Sequence, residues 1–182
     1  YGRKEIKDVL AYLKTIENGR DDLAVRRIIN VPKRGIGATT INRVQEYANT
    51  EDMSFYDALR VAGTIPGVGK SVAKLDSFVQ MIQTMRSKQP YYSVKELIED
   101  VLEQTEYRKE LMAEGTEEAL DRLANIDELL NKAASYAEHA GNPSLGGFLE
   151  EVALVADIDN LEEDADHVVM MTLHSAKGLE FP

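Results

Sequence analysis

The sequence predicts a mainly α-helical protein, and three features of its 182 residues carry that prediction. Apolar residues recur at the three- and four-residue spacing of a helix face along almost the whole chain. Serine and aspartate stand where helices would begin, and glycine and proline where they would end. No cysteine is present, which excludes a disulfide framework and a cysteine-based zinc site. With 43% hydrophobic residues, the chain is long enough for one good core or two small ones.

Five helices are predicted in the first half, each with its apolar residues on one face. Pro32 separates the second from the third, because proline cannot continue a helix. Ser54 with Asp57 resembles a capping box, a pairing that opens helices. The five are Ile6–Ile16, Leu23–Ile29, one from about Thr40, a short one behind Ser54, and one from Lys70 to about Lys88.

The second half continues with helices over 94–102, 116–139 and 145–156 and then changes character. Ser93 with Glu96 is a second capping box. Asp157–Asp166 is rich in carboxylates and is predicted to be a solvated linker. His167–His174 is a short apolar run, partly β-branched, that predicts a buried strand. Because one strand cannot form a sheet, we expect the chain to be a piece of a larger protein.

Two Gly-apolar-Gly turns are the first candidates for a binding function. The first is Gly35–Gly37, preceded by Lys33 and Arg34, and the second, Gly67–Gly69, lies 32 residues later. Such turns let backbone approach a ligand and leave helix N-terminal N–H groups free to bind phosphate. Each alone is compatible with an ordinary turn beside solvated basic residues. Together they resemble the hairpins of helix-hairpin-helix motifs, which hold duplex DNA by its phosphates without reading sequence.

The acidic total does not exclude DNA binding, because the charge is unevenly distributed. The net charge is -11, but residues 1–90 sum to +5 and residues 91–182 to -16. At physiological salt the Debye length is about 8 Å, so distant carboxylates hardly oppose a local basic patch.

The spacing of the residues concerned argues against several other functions. Gly69-Lys70-Ser71 could end a P-loop, but Thr64 stands where its first glycine belongs. Asp157 and Asp159 begin like a calcium loop that the following residues do not complete. No histidine has a partner at metal-ligand spacing, and no catalytic triad can be argued.

No apolar run approaches the roughly 20 residues of a membrane span, and residues 1–30 lack a signal-peptide core, so we expect a soluble cytoplasmic protein.

Three segments carry a resemblance to UvrD/PcrA-like superfamily 1 DNA helicases. Met170–Pro182 (MMTLHSAKGLEFP) looks like helicase motif V, which is a highly specific pattern. Arg3–Leu13 (RKEIKDVLAYL) looks like the helix leading from subdomain 2A of that family into subdomain 2B. Asn30–Gly37 (NVPKRGIG) resembles the 2B segment that contacts duplex DNA. The match runs in order from end to end of the chain.

The resemblance implies a domain plan and a set of site residues. Residues 1–17 would be a stub of RecA-like subdomain 2A, 18–160 the all-helical subdomain 2B, and 161–182 the return into 2A, with a leftover strand. Lys33, Arg34, Gly35, Ile36, Gly37 and Thr39 would contact duplex phosphates, and likeness between the turns extends that role to Gly67, Gly69 and Lys70. In the parent helicase, Thr172 and His174 match positions near single-stranded DNA, and Gly178 and Glu180 match positions on the ATP side.

The same resemblance implies ATP and Mg²⁺ as cofactors of the parent but none for this chain. The Walker A and Walker B segments and the arginine motifs are missing, so we expect neither ATP hydrolysis nor unwinding by the chain alone. Implied partners are duplex and junction DNA, subdomains 1A, 1B and 2A, and repair or transcription proteins. Two alternatives stay open: a protein-docking or autoregulatory module that uses the acidic half, and a free-standing helix-hairpin-helix DNA-binding factor.

Overall fold

Helices form wherever apolar residues repeat with helical period, and they make up the fold. The computed structural model describes the backbone of residues 1–178 and the side chains of residues 1–162. Two short 3-10 turns, Ala62–Thr64 and Gly69–Ser71, interrupt the helices. The helices are α1 (Lys4–Glu17), α2 (Asp22–Ile28), α3 (Ala38–Thr50), α4 (Phe55–Arg60), α5 (Val72–Lys88), α6 (Val94–Gln104), α7 (Tyr107–Glu114), α8 (Glu117–His139) and α9 (Leu145–Gly178).

The first helix is the centre of the molecule. α1 packs against α2, α5, α6, α8 and α9, and its residues Leu13 and Ile16 are fully buried. One apolar cluster extends from this helix to Val152 on α9. The residues expected to be a stub of another subdomain are therefore built into the core of the helical body.

The predicted starts of the helices lie within two residues of the observed ones, and side-chain caps explain several of them. Ser54 accepts a hydrogen bond from the Asp57 amide, although the reciprocal bond of a full capping box is not formed there. Ser93 and Glu96 make both bonds of the box. Such caps satisfy backbone groups that a helix end leaves without partners. On α8, Leu120 is 62% exposed and therefore lies off the buried face of that helix.

Two predictions for the C-terminal region are corrected. Asp157–Asp166 was expected to be a linker and His167–His174 a strand, but the backbone is helical through both, as part of α9. No strand occurs within residues 1–178. A single strand leaves its backbone N–H and C=O groups without partners, whereas a helix pairs them within itself. None of the helices in the described part combines the length and hydrophobicity needed to cross a bilayer.

Candidate nucleic-acid interface

The two glycine turns adopt matching conformations. Gly35 has φ +72° and Gly67 has φ +84°, values in the left-handed region that favours glycine. The apolar residue in the middle of each turn is buried, Ile36 at 3% and Val68 at 2% exposure. Each turn is therefore anchored in the core by its centre, and the flanking glycine backbone remains at the surface.

The turns lie side by side and are joined by reciprocal contacts. Arg43 on α3, the helix that follows the first turn, donates from Nη1 to the carbonyl of Gly67 in the second turn. Lys74 on α5 donates from Nζ to the carbonyl of Gly35 in the first turn, at 3.2 Å. Each turn is thus held by a cation from the helix that follows the other, so the pair forms one surface.

The helices that leave these turns have no side-chain cap at their N-termini. Gly37 is the N-cap of α3 and has no side chain, and Ser71 is the N-cap of α5 but makes no capping bond. The Ser71 hydroxyl lies 3.2 Å from the Thr40 hydroxyl instead. Side chains do cap four other helices: α2 by Asp21, α4 by Ser54, α6 by Ser93 and α8 by Thr116. No side chain among the described residues therefore occupies the first-turn N–H groups of α3 and α5, as a capping residue would.

The paired turns lie in a positively charged part of the chain. Segments 30–45 and 64–75 contain five basic residues and no acidic one. Lys33 and Lys70 are exposed beside the turns, as is Thr39 in the first turn of α3. Backbone amides, the positive end of a helix dipole and nearby cations together favour a bound anion.

Arg34, which the sequence groups with Lys33, is directed into the protein. Its Nη1 donates to the carbonyls of Ile28 at 2.6 Å and Ile29 at 3.0 Å, at the C-terminal end of α2. Its Nη2 donates to the hydroxyl of Tyr12 at 2.5 Å. Burial raises the pKa of Tyr12, and the neighbouring guanidinium offsets only part of that rise.

Sequence reasoning missed two cations of this surface, Arg43 and Lys74. They lie eight residues after Gly35 and seven after Gly67, so both are in the first half of the helix that follows a turn. These similar spacings are a usable signal only when the two turns are known to be neighbours.

The residues of the motif V resemblance can be placed only in part. Thr172, His174 and Gly178 belong to the backbone of α9, and Glu180 lies outside the described residues. Their assigned contacts with single-stranded DNA and ATP remain predictions. Within the part of the chain whose side chains are described, no group of three histidine, aspartate or glutamate residues could hold a metal ion.

Comparison with known proteins identifies the family. The family described as the UvrD-like helicase C-terminal domain matches residues 1–182. The chain is 46% identical over 188 residues to "ATP-dependent DNA helicase PcrA" of Bacillus subtilis (strain 168). It is 43% identical over 185 residues to the proteins of the same name from Staphylococcus aureus (strain Mu50) and Staphylococcus epidermidis. In each case the match covers 100% of this chain and 25% of the relative, so the chain spans about a quarter of the length of these relatives. The chain belongs to the UvrD-like helicase C-terminal domain family.

Proposed function

We propose that this chain is the duplex-DNA-binding and regulatory 2B subdomain, with flanking parts of 2A, of a PcrA-type 3′–5′ DNA helicase acting in repair or replication. The observation that carries the proposal is the pairing of the two glycine turns on one surface. Uncapped N-termini of α3 and α5 and exposed cations accompany that pairing. The relatives are named as ATP-dependent DNA helicases, which supports DNA as the ligand.

The geometry favours binding to the phosphate backbone rather than to bases. The donors are main-chain amides at Gly37 and Gly69 and the ammonium groups of Lys33 and Lys70, all of which suit phosphate oxygens. Contacts of this kind fix the position of a protein on the duplex and carry no sequence information. The chain is therefore expected to bind duplex DNA of any sequence.

The remaining subdomains of the helicase would supply the chemistry. ATP and Mg²⁺ would be held mainly by the motor domains 1A and 2A, with Gly178 and Glu180 contributing on the ATP side. Thr172 and His174 would lie near single-stranded DNA. We propose that His167–His174 becomes a strand when the neighbouring strands of 2A are present, because its backbone groups then find partners. The proposed place of action is the cytoplasm.

A second candidate function is protein docking through the acidic half, in which the chain would contact DNA only within the whole helicase. A groove of about 710 Å³ between α6, α7 and α8 favours it. Its walls include Leu102, Leu130 and Met112, of which Met112 is 64% exposed. A chain that binds no duplex at low salt would support this function and contradict the first.

The test of DNA binding is Gly37→Asp. Gly37 has φ -74°, and a Cβ built there meets nothing within 4 Å, so aspartate fits without strain. Aspartate is also a favourable N-cap, so the variant should fold at least as well as the native chain. Its carboxylate would occupy the amides proposed for phosphate and repel the DNA.

The matched control is Gly141→Asp, which adds the same charge between α8 and α9. A Cβ at Gly141 likewise meets nothing within 4 Å. Binding to a labelled duplex with a single-stranded tail is measured by anisotropy at low salt. We expect Gly37→Asp to weaken binding by at least about tenfold, since it loses phosphate contacts and adds repulsion. Equal losses in the two variants, or none in Gly37→Asp, would contradict the assignment.

A further inference from the structure

We propose that Arg34 is a positioning residue that holds the first glycine turn in shape for DNA and does not contact DNA itself. The inference rests on the proposed function, and it reassigns a cation whose place in the sequence predicts a phosphate contact. Lys33, its exposed neighbour, takes the role of the charged contact at this turn.

The guanidinium of Arg34 is occupied by partners inside the protein. Besides the carbonyls at the end of α2, it lies over the ring of Phe78 on α5, with 5.0 Å from Cζ to the ring centroid. A third carbonyl, that of Val31, lies 3.4 Å from Nη1. Arginine presents its donors in a planar fork, and these partners occupy both terminal nitrogens of the fork. A phosphate contact by either terminal nitrogen of Arg34 would compete with these partners.

Tyr12 links this arginine to the centre of the molecule. Its hydroxyl accepts from Arg34 Nη2 and donates to the carbonyl of Val31. Tyr12 belongs to α1, and only 1% of it is exposed. Through this one hydroxyl, α1 is therefore connected to Val31, near the start of the loop over residues 30–36, and to Arg34, which precedes the first glycine turn.

Asn30 closes the loop from its other side. Its Nδ2 donates to the carbonyl of Ile36 at 2.6 Å, and its Oδ1 accepts from the Ile36 amide at 3.1 Å. With Arg34 and Tyr12, it fixes residues 30–36 by contacts that all face inward. The amides that follow, at Gly37 and beyond, are thus held in place before DNA arrives. A preorganised turn binds more tightly because less ordering is required on binding.

The experiment compares how affinity for the tailed duplex depends on salt in four variants. Arg34→Gln removes the charge and the fork, and Arg34→Lys keeps the charge but not the fork. Lys33→Gln is the variant for a direct phosphate contact. Arg86→Gln is the control for half-buried arginines that bind main-chain carbonyls: Arg86 donates to the carbonyls of Ile16 at 3.0 Å and Thr15 at 2.7 Å. It lies twelve residues beyond Lys74 on α5, or about 18 Å from it along the helix.

The expected results separate positioning from contact. Each phosphate contact by a cation contributes about -0.9 to the slope of log K against log salt. Lys33→Gln should reduce the slope by about 0.9. Arg34→Gln and Arg34→Lys should both weaken binding by about tenfold and keep the native slope. The glycine turn loses its preorganised shape in these variants, but no phosphate contact is removed. Arg86→Gln should lower thermal stability and leave affinity unchanged.

Two outcomes would overturn the inference itself, and a third would overturn its basis. A reduced slope in Arg34→Gln that is restored in Arg34→Lys would make Arg34 a direct phosphate contact. Native affinity in both Arg34 variants would remove any role in binding. Failure of the native chain to bind the tailed duplex at low salt would instead overturn the proposed function on which the inference rests.

Hydrogen exchange tests the positioning role without DNA. The Ile36 amide is bonded to Asn30, so its exchange reports whether the loop is held. We expect Arg34→Lys to speed exchange at Ile36 and to leave α8 unchanged, and Arg86→Gln to leave Ile36 protected. Native protection at Ile36 in Arg34→Lys would show that the loop does not depend on Arg34 and would overturn the positioning role.

Discussion

Buried carboxylates hold helices of this protein together, and Asp8 is the most connected of them. It is 1% exposed, and it accepts from Arg27 Nε at 2.9 Å and from the Tyr107 hydroxyl at 2.8 Å. The three residues lie on α1, α2 and α7. Such partners offset the free-energy cost of burying a carboxylate. Burial, followed by the bond to Asp8, raises the pKa of Tyr107 far above its usual value.

Two conservative substitutions of tyrosine should have opposite effects on stability. Tyr107→Phe removes a bond to a buried carboxylate and should cost about 2 kcal/mol of unfolding free energy. Tyr56→Phe removes a buried hydroxyl with no hydrogen-bond partner among the described residues, and should be neutral or stabilising by about 1 kcal/mol. Urea denaturation of both variants measures the difference.

The pH dependence of the Tyr107→Phe effect provides the control. A pKa raised by folding contributes stability that is complete below the unfolded value, near 10 for tyrosine, and is lost as pH rises toward the folded value. The native chain should therefore lose its advantage over Tyr107→Phe as pH rises above about 10. A gap that stays constant or widens above that pH would show that folding does not raise the pKa of Tyr107.

At the residue scale, the sequence predicts a phosphate contact for both Lys33 and Arg34. It does not show that Lys33 is exposed whereas Arg34 is directed into the protein. Adjacent basic residues look alike in a sequence, and the carbonyls and aromatic ring that receive Arg34 come from α2 and α5. Such partners become visible only after the helices have packed. Untested DNA contacts at Thr39 and Gly69 remain predictions.

At the element scale, the two helices that follow the glycine turns lack the side-chain caps found on α2, α4, α6 and α8, as do α1 and α7. Ser93 accepts from the Glu96 amide at 3.1 Å, and its own amide donates to the Glu96 carboxylate at 3.0 Å. Ser71 occupies the equivalent position on α5 without making a cap. The sequences of the two starts indicate this difference, because Glu96 stands three residues after Ser93, whereas Lys74 stands three residues after Ser71 and cannot complete a capping box.

Replacing these two serines should separate structural caps from the binding surface. Ser93→Ala should cost about 1 kcal/mol of unfolding free energy and leave DNA affinity unchanged. Ser71→Ala should cost less than half of that, since it loses only the contact with Thr40. Urea midpoints compare the two variants, and equal losses would show that Ser71 caps α5 after all.

Helix positions were largely predictable because apolar periodicity and caps are local. α7 was missed because Leu111 is its only buried residue, so its eight residues show little periodicity. It starts after Glu106, a non-glycine residue at φ +56°. The end of α9 was wrong for a different reason: a β-branched apolar run favours a strand, but the strand needs neighbours to pair with.

At the scale of the whole molecule, the pairing of the turns could not be read from the sequence. Their 32-residue separation is bridged by α3 and α4, and a packed core is required to bring Gly35 and Gly67 together. The division of charge between the two halves of the chain could be read from the sequence. The cations of the turns lie in the basic half, so the net charge of -11 comes from residues in the other half.

The salt dependence of duplex binding tests the central claim most directly. Lys33, Arg43, Lys70 and Lys74 are the exposed cations of the paired turns. If two to four of them contact phosphates, log K should fall linearly with log salt, with a slope between about -1.8 and -3.6, whatever the DNA sequence. The measurement is a titration of the chain against a duplex with a single-stranded tail at several salt concentrations. No binding at low salt, or binding that salt does not weaken, would contradict the account.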